Sequence, residues 1–407
     1  MKIENKSIYF EKNQIEKKIK KDRISIETKR KRRTIFTIIF LLLIISTLNL
    51  YSVAYYEENS FTLGKYLFFV FIGAFSLMFF NIFNYKIFKK EKMIKFIYSA
   101  SILLLIFVFI GGKVLPGVVK TINGATGWIR LGPINIQPAE ILKVPFIIIE
   151  AYIFYKKEND SIFKLIGISF GIFLSFAGFI ILQNDMGTVI HYFAIYLVML
   201  FMSGIDKKVI IKVVSGFGIL GIVGLVGLYK YGNIFFDGYK VRRITMYIDG
   251  LFNDGYIGNI DIGYQVAQSL LAFGNGGVLG VGYGNGVQKY SYLPEIHTDF
   301  IMALLGEEMG FLGVCIIVLF FFLLYNIMID IGINSKDFFG KYLAIGIGGM
   351  IMSQVLINLF VAVGLLPVFG IPMPLFSYGG SSILTVMTSI GIVLSINNYT
   401  SITFDKI

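Results

Sequence analysis

Runs of about 20 apolar residues recur along the whole of this chain, and nothing else in the sequence restricts its fold as much. Thr34 to Ala54 and Tyr66 to Phe83 are the first two, and neither contains Asp, Glu, Lys or Arg. A hydrocarbon layer ~30 Å thick is crossed by about 20 helical residues, and a helix satisfies its own backbone polar groups on the way. Transmembrane strands would show ~10-residue segments of alternating polarity, and these runs do not alternate. Of 407 residues, 56% are hydrophobic and 15% charged, against about 25% charged in a soluble domain. The expected fold is an all-α polytopic membrane protein.

Charge between the runs gives each crossing a direction, because Lys and Arg accumulate on the cytoplasmic side. Residues 55–64 hold Glu57 and Glu58 and no Lys or Arg, so they face out. Residues 85–95 hold Lys86, Lys89, Lys90, Lys92 and Lys95, so they face in. The same alternation places further helices at about 96–115, 138–156, 162–182, 186–204, up to Tyr229, 300–326, 342–364 and 377–396. The expectation is ten transmembrane helices, N-in and C-in, with one long extracytoplasmic loop at about 230–298. Residues 34–400 form one transmembrane domain and residues 1–33 a basic cytoplasmic tail.

That tail holds 13 Lys/Arg against 5 Asp/Glu, a surplus of eight within the chain's net +12. Placed directly before the first apolar run, it reads as a positive-inside anchor that also touches anionic lipid headgroups. No nucleic-acid partner is expected. The first run is too long for a cleavable signal and lacks a small-residue exit.

Cys315 is the only cysteine and His191 and His297 the only histidines, which excludes intrachain disulfides and Cys- or His-rich metal centres. No phosphate-binding glycine motif of a nucleotide enzyme is present.

Charge inside a membrane is costly and usually pairs or lines a polar cavity. Trp128, Arg130, Glu140, Lys143, Asp185, a glycine-rich stretch, Asp299 and a proline-rich turn at 367–374 all fall at the outer face. An interfacial aromatic with a snorkelling Arg fits Trp128 and Arg130 as readily as a site does. Gln137-Pro-Ala-Glu140 opens a helix with Pro in its first turn. Glu140 and Lys143, three apart, share a helical face and can pair. A structural ion pair and a cationic site for a pyrophosphate both remain open. Gly274 to Gly286 holds seven glycines in thirteen residues, and composition favours a flexible loop over close backbone approach to a ligand. A helix starting at Pro294 would put Glu295 and Asp299 on one face and carry Glu307 off it. Such a carboxylate can be a general base, a cap, an ion-pair member or the proton relay of a transporter.

Five segments in order carry more weight together than separately: NGATGWIRLGPINIQPAEILK, QNDMGT, GYQVAQSLLAFGNGGVLGVG, YLPEIHTDFIMALLGEEMGFLG and GLLPVFGIPMPLFSYGGSS. With them the chain, over about residues 34–397, resembles the SEDS family of shape, elongation, division and sporulation proteins. GVGYGNGVQKYSYLPEIHTDF resembles the FtsW pattern of that family more than the RodA pattern. The resemblance implies a peptidoglycan glycosyltransferase of cell division or cell shape. Such an enzyme joins lipid II units, releases undecaprenyl pyrophosphate and works with a class B penicillin-binding protein, a transpeptidase. It implies a multi-pass protein of the bacterial cytoplasmic membrane with an extracytoplasmic active site.

The family's essential aspartate matches Asp299. Its Q-P-S-E…K segment matches Gln137, Pro138, Glu140 and Lys143, with Ala139 for Ser. Its Q-P-D-L-G turn matches Gln183, Asp185 and Gly187, but Asn184 replaces the Pro and Met186 the Leu, so the turn loses its rigid residue. Glu295, His297, Ser377 and Gly379 fall in the other matching segments and, with Trp128, are expected at the substrate. An inverting displacement needs a base for the acceptor hydroxyl and charge stabilisation for the leaving pyrophosphate. Asp299 is the expected base, and Arg130 and Lys143 the expected partners of the leaving group. A divalent cation, Mg²⁺ or Mn²⁺, held by carboxylates is part of this expectation, although the spacing gives no ligand set. A lipid II flippase or a non-catalytic scaffold of the division machinery would use the same fold. The first needs access from both faces and no committed base; the second tolerates loss of every cavity charge.

Overall fold

The computed structural model describes residues 2–54, 61–122, 124–132, 134–156, 161–235, 247–248, 262–290 and 292–405. The helices are α1 Lys2–Ala54, α2 Phe61–Ile82, α3 Glu91–Val114, α4 Pro138–Ile141, α5 Lys143–Lys156 and α6 Ile162–Leu182. They continue with α7 Met186–Met202, α8 Lys207–Phe235, α9 Ile262–Gly276, α10 Ile301–Ile333, α11 Phe338–Ala362 and α12 Gly380–Asp405. Among the described residues, seven helices are long and apolar enough to cross a membrane: those of α1 (from Ile24), α2, α3, α6, α10, α11 and α12. The expected count of ten adds α5, α7 and α8 to these.

Apolar residues encircle these helices instead of forming a stripe, as a helix facing both protein and lipid requires. Phe71 and Phe75 on α2 are 73% and 69% exposed, a placement that water would penalise and lipid tails do not. The centre belongs to α11 and α12, which bury Leu343, Ile347, Met350, Val386, Ile390 and Val393. Against them pack α2, α5, α7 and α10. Polar side chains bond into this interior: Ser46 Oγ donates to the Phe376 carbonyl at 2.7 Å, and His191 Nε2 lies 2.9 Å from the Met350 carbonyl.

The α3–α4, α6–α7 and α11–α12 connections meet at one end of the bundle, where their residues line one cavity, and the α2–α3 and α10–α11 connections meet at the other. The second end is the lysine-rich one. There a 3₁₀ turn, Tyr85–Lys89, is capped by Asn84, and Lys89 Nζ donates to Asp337 at 2.8 Å.

Two segments expected to be irregular carry regular structure. Residues 115–137 contain a three-stranded antiparallel sheet, β1 Val119–Ile122, β2 Ala125–Leu131 and β3 Ile134–Ile136, in the order β1-β2-β3. Register pairs Lys120 with Trp128 and Arg130 with Asn135. The expected loop at 230–298 contains α9, while its residues 236–246 and 249–261 lie outside the described residues. Period-2 strands this short leave little signal beside a dominant pattern of apolar runs.

The glycine-rich stretch is a packing device and not a loose loop. A Cβ at Gly276 would lie 1.9 Å from the Gly306 carbonyl oxygen, and one at Gly280 2.2 Å from that of Glu308. The stretch fills a break in α10 at Gly310, where φ is +68°. Phe311 and Leu312 donate their N–H groups to the Gly277 and Val278 carbonyls at 2.9 and 3.2 Å, and Val281 and Gly282 return bonds to Glu307 and Glu308. A buried ion pair seals it: Lys289 Nζ donates to Glu308 Oε1 and to Ser52 Oγ, each at 2.8 Å.

Candidate active site

At the end of the bundle away from the lysine-rich turns lies a cavity of about 560 Å³, within the range of ligand sites. The sheet, α2, α4, α7, α9, α12 and the two turns at 294–299 and 367–372 enclose it. Trp128, Gln137, Glu140, Asp185, Glu295, His297, Asp299 and Gly379 line it. Eight side chains or backbones drawn from distant parts of the sequence are thereby brought to one space.

Asp299 sits on a turn and not on a helix. The helix expected from Pro294 does not form: Glu295 adopts a left-handed backbone with φ +57°, and α10 begins only at Ile301. Glu295 and Asp299 therefore share a tight turn, closed by the Asp299 N–H bonding the Glu295 carbonyl at 3.1 Å, and not a helical face. Thr298 Oγ1 donates to Glu295 Oε2 at 2.8 Å, fixing that carboxylate beside the turn. A left-handed non-glycine residue is held only where its surroundings over-determine it, and here they do. Three consecutive carbonyls are each gripped from outside: His297 by the Tyr378 N–H at 2.8 Å, Thr298 by Ser377 Oγ, and Asp299 by Asn358 Nδ2 at 2.9 Å. Ser377 in turn accepts from the Met373 N–H at 2.8 Å, and Asn358 also holds the Ile371 carbonyl at 2.8 Å. Ser377 thus acts on the turn and does not line the cavity.

Opposite this turn, α4 starts with Gln137 and Pro138. Gln137 Nε2 donates to Asp185 Oδ2 at 2.7 Å, and its backbone N–H to Ser381 Oγ at 2.9 Å. Asp185 caps α7 by accepting from the Thr188 N–H at 3.0 Å and hydroxyl at 2.8 Å. Burial raises its carboxyl above the usual range, against the lowering effect of those Thr188 bonds. The turn that lost its family proline is held instead by Thr126, whose N–H bonds the Gln183 carbonyl at 2.8 Å. A Cβ at Gly187 would meet the Phe369 carbonyl oxygen at 2.1 Å, so only glycine lets α7 approach the 367–372 turn.

Glu140 and Lys143 form the expected pair, both buried, with Lys143 Nζ on Glu140 Oε1. Glu140 lines the cavity and its Oε2 has no partner among the described residues; Lys143 lies behind it. Arg130 does not reach the cavity. It is exposed at the end of β2, its Nε donating to the Gly132 carbonyl at 3.2 Å. Among the described residues no three His, Cys, Asp or Glu side chains are grouped to hold a metal ion.

Sequence reasoning missed Asn358, Gln354, Lys65, Ser381 and Ser382. Asn358 and Gln354 carried a usable signal, being amides inside an apolar run. Lys65 carried one too, as a cation on the side the positive-inside rule leaves poor in them.

The cell cycle protein family FtsW/RodA/SpoVE matches residues 31–402. A "probable peptidoglycan glycosyltransferase FtsW" from Geobacter sp. (strain M18) is 38% identical over 77% of this chain and 80% of its own length. The stage V sporulation protein E of Bacillus subtilis (strain 168) is 35% identical over 84% of this chain and 89% of its own. Among solved structures, a chain of a peptidoglycan synthase complex, described as coordinating polymerization and crosslinking, superposes with a TM-score of 0.70 at 22% identity, covering 90% of this chain and 97% of that one. The rod shape determining protein RodA of Thermus thermophilus gives 0.61 at 24%, over 89% and 95%. With the fold shared along nearly its full length and the family's segments assembled around one cavity, the chain belongs to the FtsW/RodA/SpoVE family of cell cycle proteins.

Proposed function

We propose that this protein is an inverting peptidoglycan glycosyltransferase that polymerises lipid II at the cavity described, with Asp299 as the base. The observation that carries the reading is the grip on the 297–299 carbonyls by Tyr378, Ser377 and Asn358, which holds one carboxylate-bearing turn at the cavity wall. A general base works only within hydrogen-bond reach of its proton, and a backbone fixed at three successive carbonyls meets that demand. The names of the curated relatives support the same activity.

In this mechanism the acceptor 4-hydroxyl approaches the Asp299 carboxylate, which takes its proton as the oxygen attacks the anomeric carbon. The new C–O bond forms as the bond to the pyrophosphate breaks, with inversion, and the electron pair leaves with the phosphate oxygen. Glu140 lines the cavity and holds Lys143 through one oxygen, so it shapes the wall against which the sugar or peptide of the substrate rests. Lys143 is a positioning residue for Glu140. No step is routed through a metal ion.

The charge pattern supports a cavity on the extracytoplasmic side of the bacterial cytoplasmic membrane, in a ten-helix, N-in and C-in arrangement. Partnership with a class B penicillin-binding protein is supported by the neighbouring synthase complex, whose chain shares this fold. The test is polymerisation of lipid II by the purified chain with such a partner, read as glycan strands on a gel. Strands made only when the partner is a glycosyltransferase itself, and not by this chain, would remove the assignment.

A further inference from the structure

Where the glycine-rich stretch meets the break in α10, the protein buries more negative charge than it balances. Glu307 and Glu308 are 1% and 2% exposed, Gln288 and Lys289 are buried beside them, and none of the four lines the cavity of Asp299. Two carboxylates thus share one ammonium where water does not reach, and an uncompensated buried charge is strongly destabilising. That ammonium is committed to one of the two. Lys289 Nζ donates to Glu308 Oε1 and to Ser52 Oγ, each at 2.8 Å, and to the Gly284 carbonyl at 2.5 Å. Among the described residues Glu307 accepts only from neutral groups, the Gln288 N–H at 3.1 Å and Asn275 Nδ2 at 3.4 Å.

Two buried oxygens of this group, Glu308 Oε2 and Gln288 Oε1, have no hydrogen-bond partner among the described residues. Both are acceptors, so what completes them is a donor or a cation. A water molecule donates to both but leaves the surplus charge uncompensated. Gly286 shows where the two acids converge. A Cβ on it would lie 2.9 Å from Glu307 Oε2 and 3.2 Å from Glu308 Oε1, so the carboxylates close over a residue that brings no side chain between them. Every donor in the set is an oxygen, with no thiolate or imidazole among them. Such a set suits a hard cation, which bonds oxygen at about 2.0–2.6 Å.

We propose that Glu307, Glu308 and Gln288 bind one hard metal cation beside Gly286, apart from the catalytic cavity. The ion joins α10 to the segment before the catalytic turn. Gln288 carries that link onward, since its carbonyl accepts the Leu293 N–H at 3.1 Å and the turn of Asp299 begins one residue later. The site does not rest on the glycosyl-transfer reading, and the cation takes no part in the displacement.

The full chain, purified in detergent, is stripped with a chelator and exchanged into tetramethylammonium chloride. Na⁺, Mg²⁺, Ca²⁺ and Mn²⁺ are then added singly at constant ionic strength, with thermal unfolding and equilibrium dialysis as the readouts. A ligand of the folded state raises the unfolding temperature once its concentration passes Kd. At least one of the four should do so, and the one that does tells whether the ion is monovalent or divalent. Glu307→Gln, which keeps the shape and removes the charge, should weaken binding of that ion about tenfold or more. Gly286→Ala, which sets a methyl between the carboxylates, should weaken it as well and decides the matter if Glu307→Gln does not fold. Asp299→Asn should bind the ion as the parent does. A parent that no cation stabilises beyond tetramethylammonium overturns the site. So does an ion bound equally by the parent, Glu307→Gln and Gly286→Ala, and so does one lost in Asp299→Asn but kept in Glu307→Gln, which would place it in the catalytic cavity.

Discussion

Asn358 supports two loops with one amide, and its removal has a consequence that can be worked out. Its Nδ2 donates to the Asp299 carbonyl at 2.9 Å and to the Ile371 carbonyl at 2.8 Å, and the side chain is 1% exposed. Asn358→Leu fills nearly the same volume but leaves two carbonyls facing an apolar group where water does not reach. Each abandoned acceptor costs about 1–3 kcal/mol, offset in part because the amide itself is no longer buried, so the expected net loss is about 2–4 kcal/mol. The functional effect is separate. The Asp299 turn loses one of its three anchors, and misplacement of a reacting group by ~1 Å costs about 10²-fold in rate. Because the base acts in the transition state, kcat should fall while KM for lipid II changes little. Thermal unfolding in detergent gives the first quantity, and strand synthesis normalised to folded protein the second. A variant that loses stability yet polymerises at the parent kcat would show that Asn358 only packs the helix, and that the turn needs no such anchor.

Other perturbations have definite outcomes. Lys289→Met leaves the Glu308 carboxylate buried without its cation and should destabilise by about 3–5 kcal/mol; adding Glu308→Gln should recover most of that, and a thermal scan in which the double variant is no better than the single contradicts the ion-pair assignment. Arg130→Ala, which alters an exposed strand end, should change strand synthesis less than about threefold. Lys143→Ala strands the buried Glu140 and should lose about 3–5 kcal/mol along with activity; the pair of variants is compared by thermal shift and gel. In intact cells carrying Cys315→Ser, an impermeant maleimide should label Lys120→Cys and spare Lys336→Cys, and the reverse pattern would invert the topology.

How much of this was legible beforehand depended on how many residues each feature repeats over. The long apolar runs announced the membrane helices, because some twenty residues vote together in each. The bends between them did not, since a turn depends on one or two residues. Pro294 looked like a helix start, yet Glu295 turns left-handed, because Ser377, Tyr378 and Asn358 reward that shape from more than sixty positions away. The sheet at 119–136 is short, and its strands show a period of two over only a few residues. Glu140 with Lys143 was readable because helical geometry joins positions three apart. Lys65 showed in its charge on the outer side, but the packing of Phe69 on Gly380, a contact between the second helix and the last that places this face of α2 at the cavity, did not. The glycine-rich stretch misled for the related reason that composition counts glycines but not what lies against them.

The central assignment is Asp299, and one substitution tests it most directly. Asn is nearly isosteric with Asp and keeps an acceptor oxygen, and the grips on this turn from Tyr378, Ser377 and Asn358 fall on main-chain carbonyls of residues 297–299. Asp299→Asn should therefore keep fold, lipid II binding and partner binding. It has no basic oxygen to take the proton, and loss of a general base costs about 10²–10⁴ in rate. The measurement is the single-turnover rate of strand formation from lipid II by the purified complex, parent against Asp299→Asn, with lipid II binding recorded on the same samples. A loss of at least about 10²-fold with binding unchanged is the expected result; strand formation at near the parent rate would mean that Asp299 is not the base.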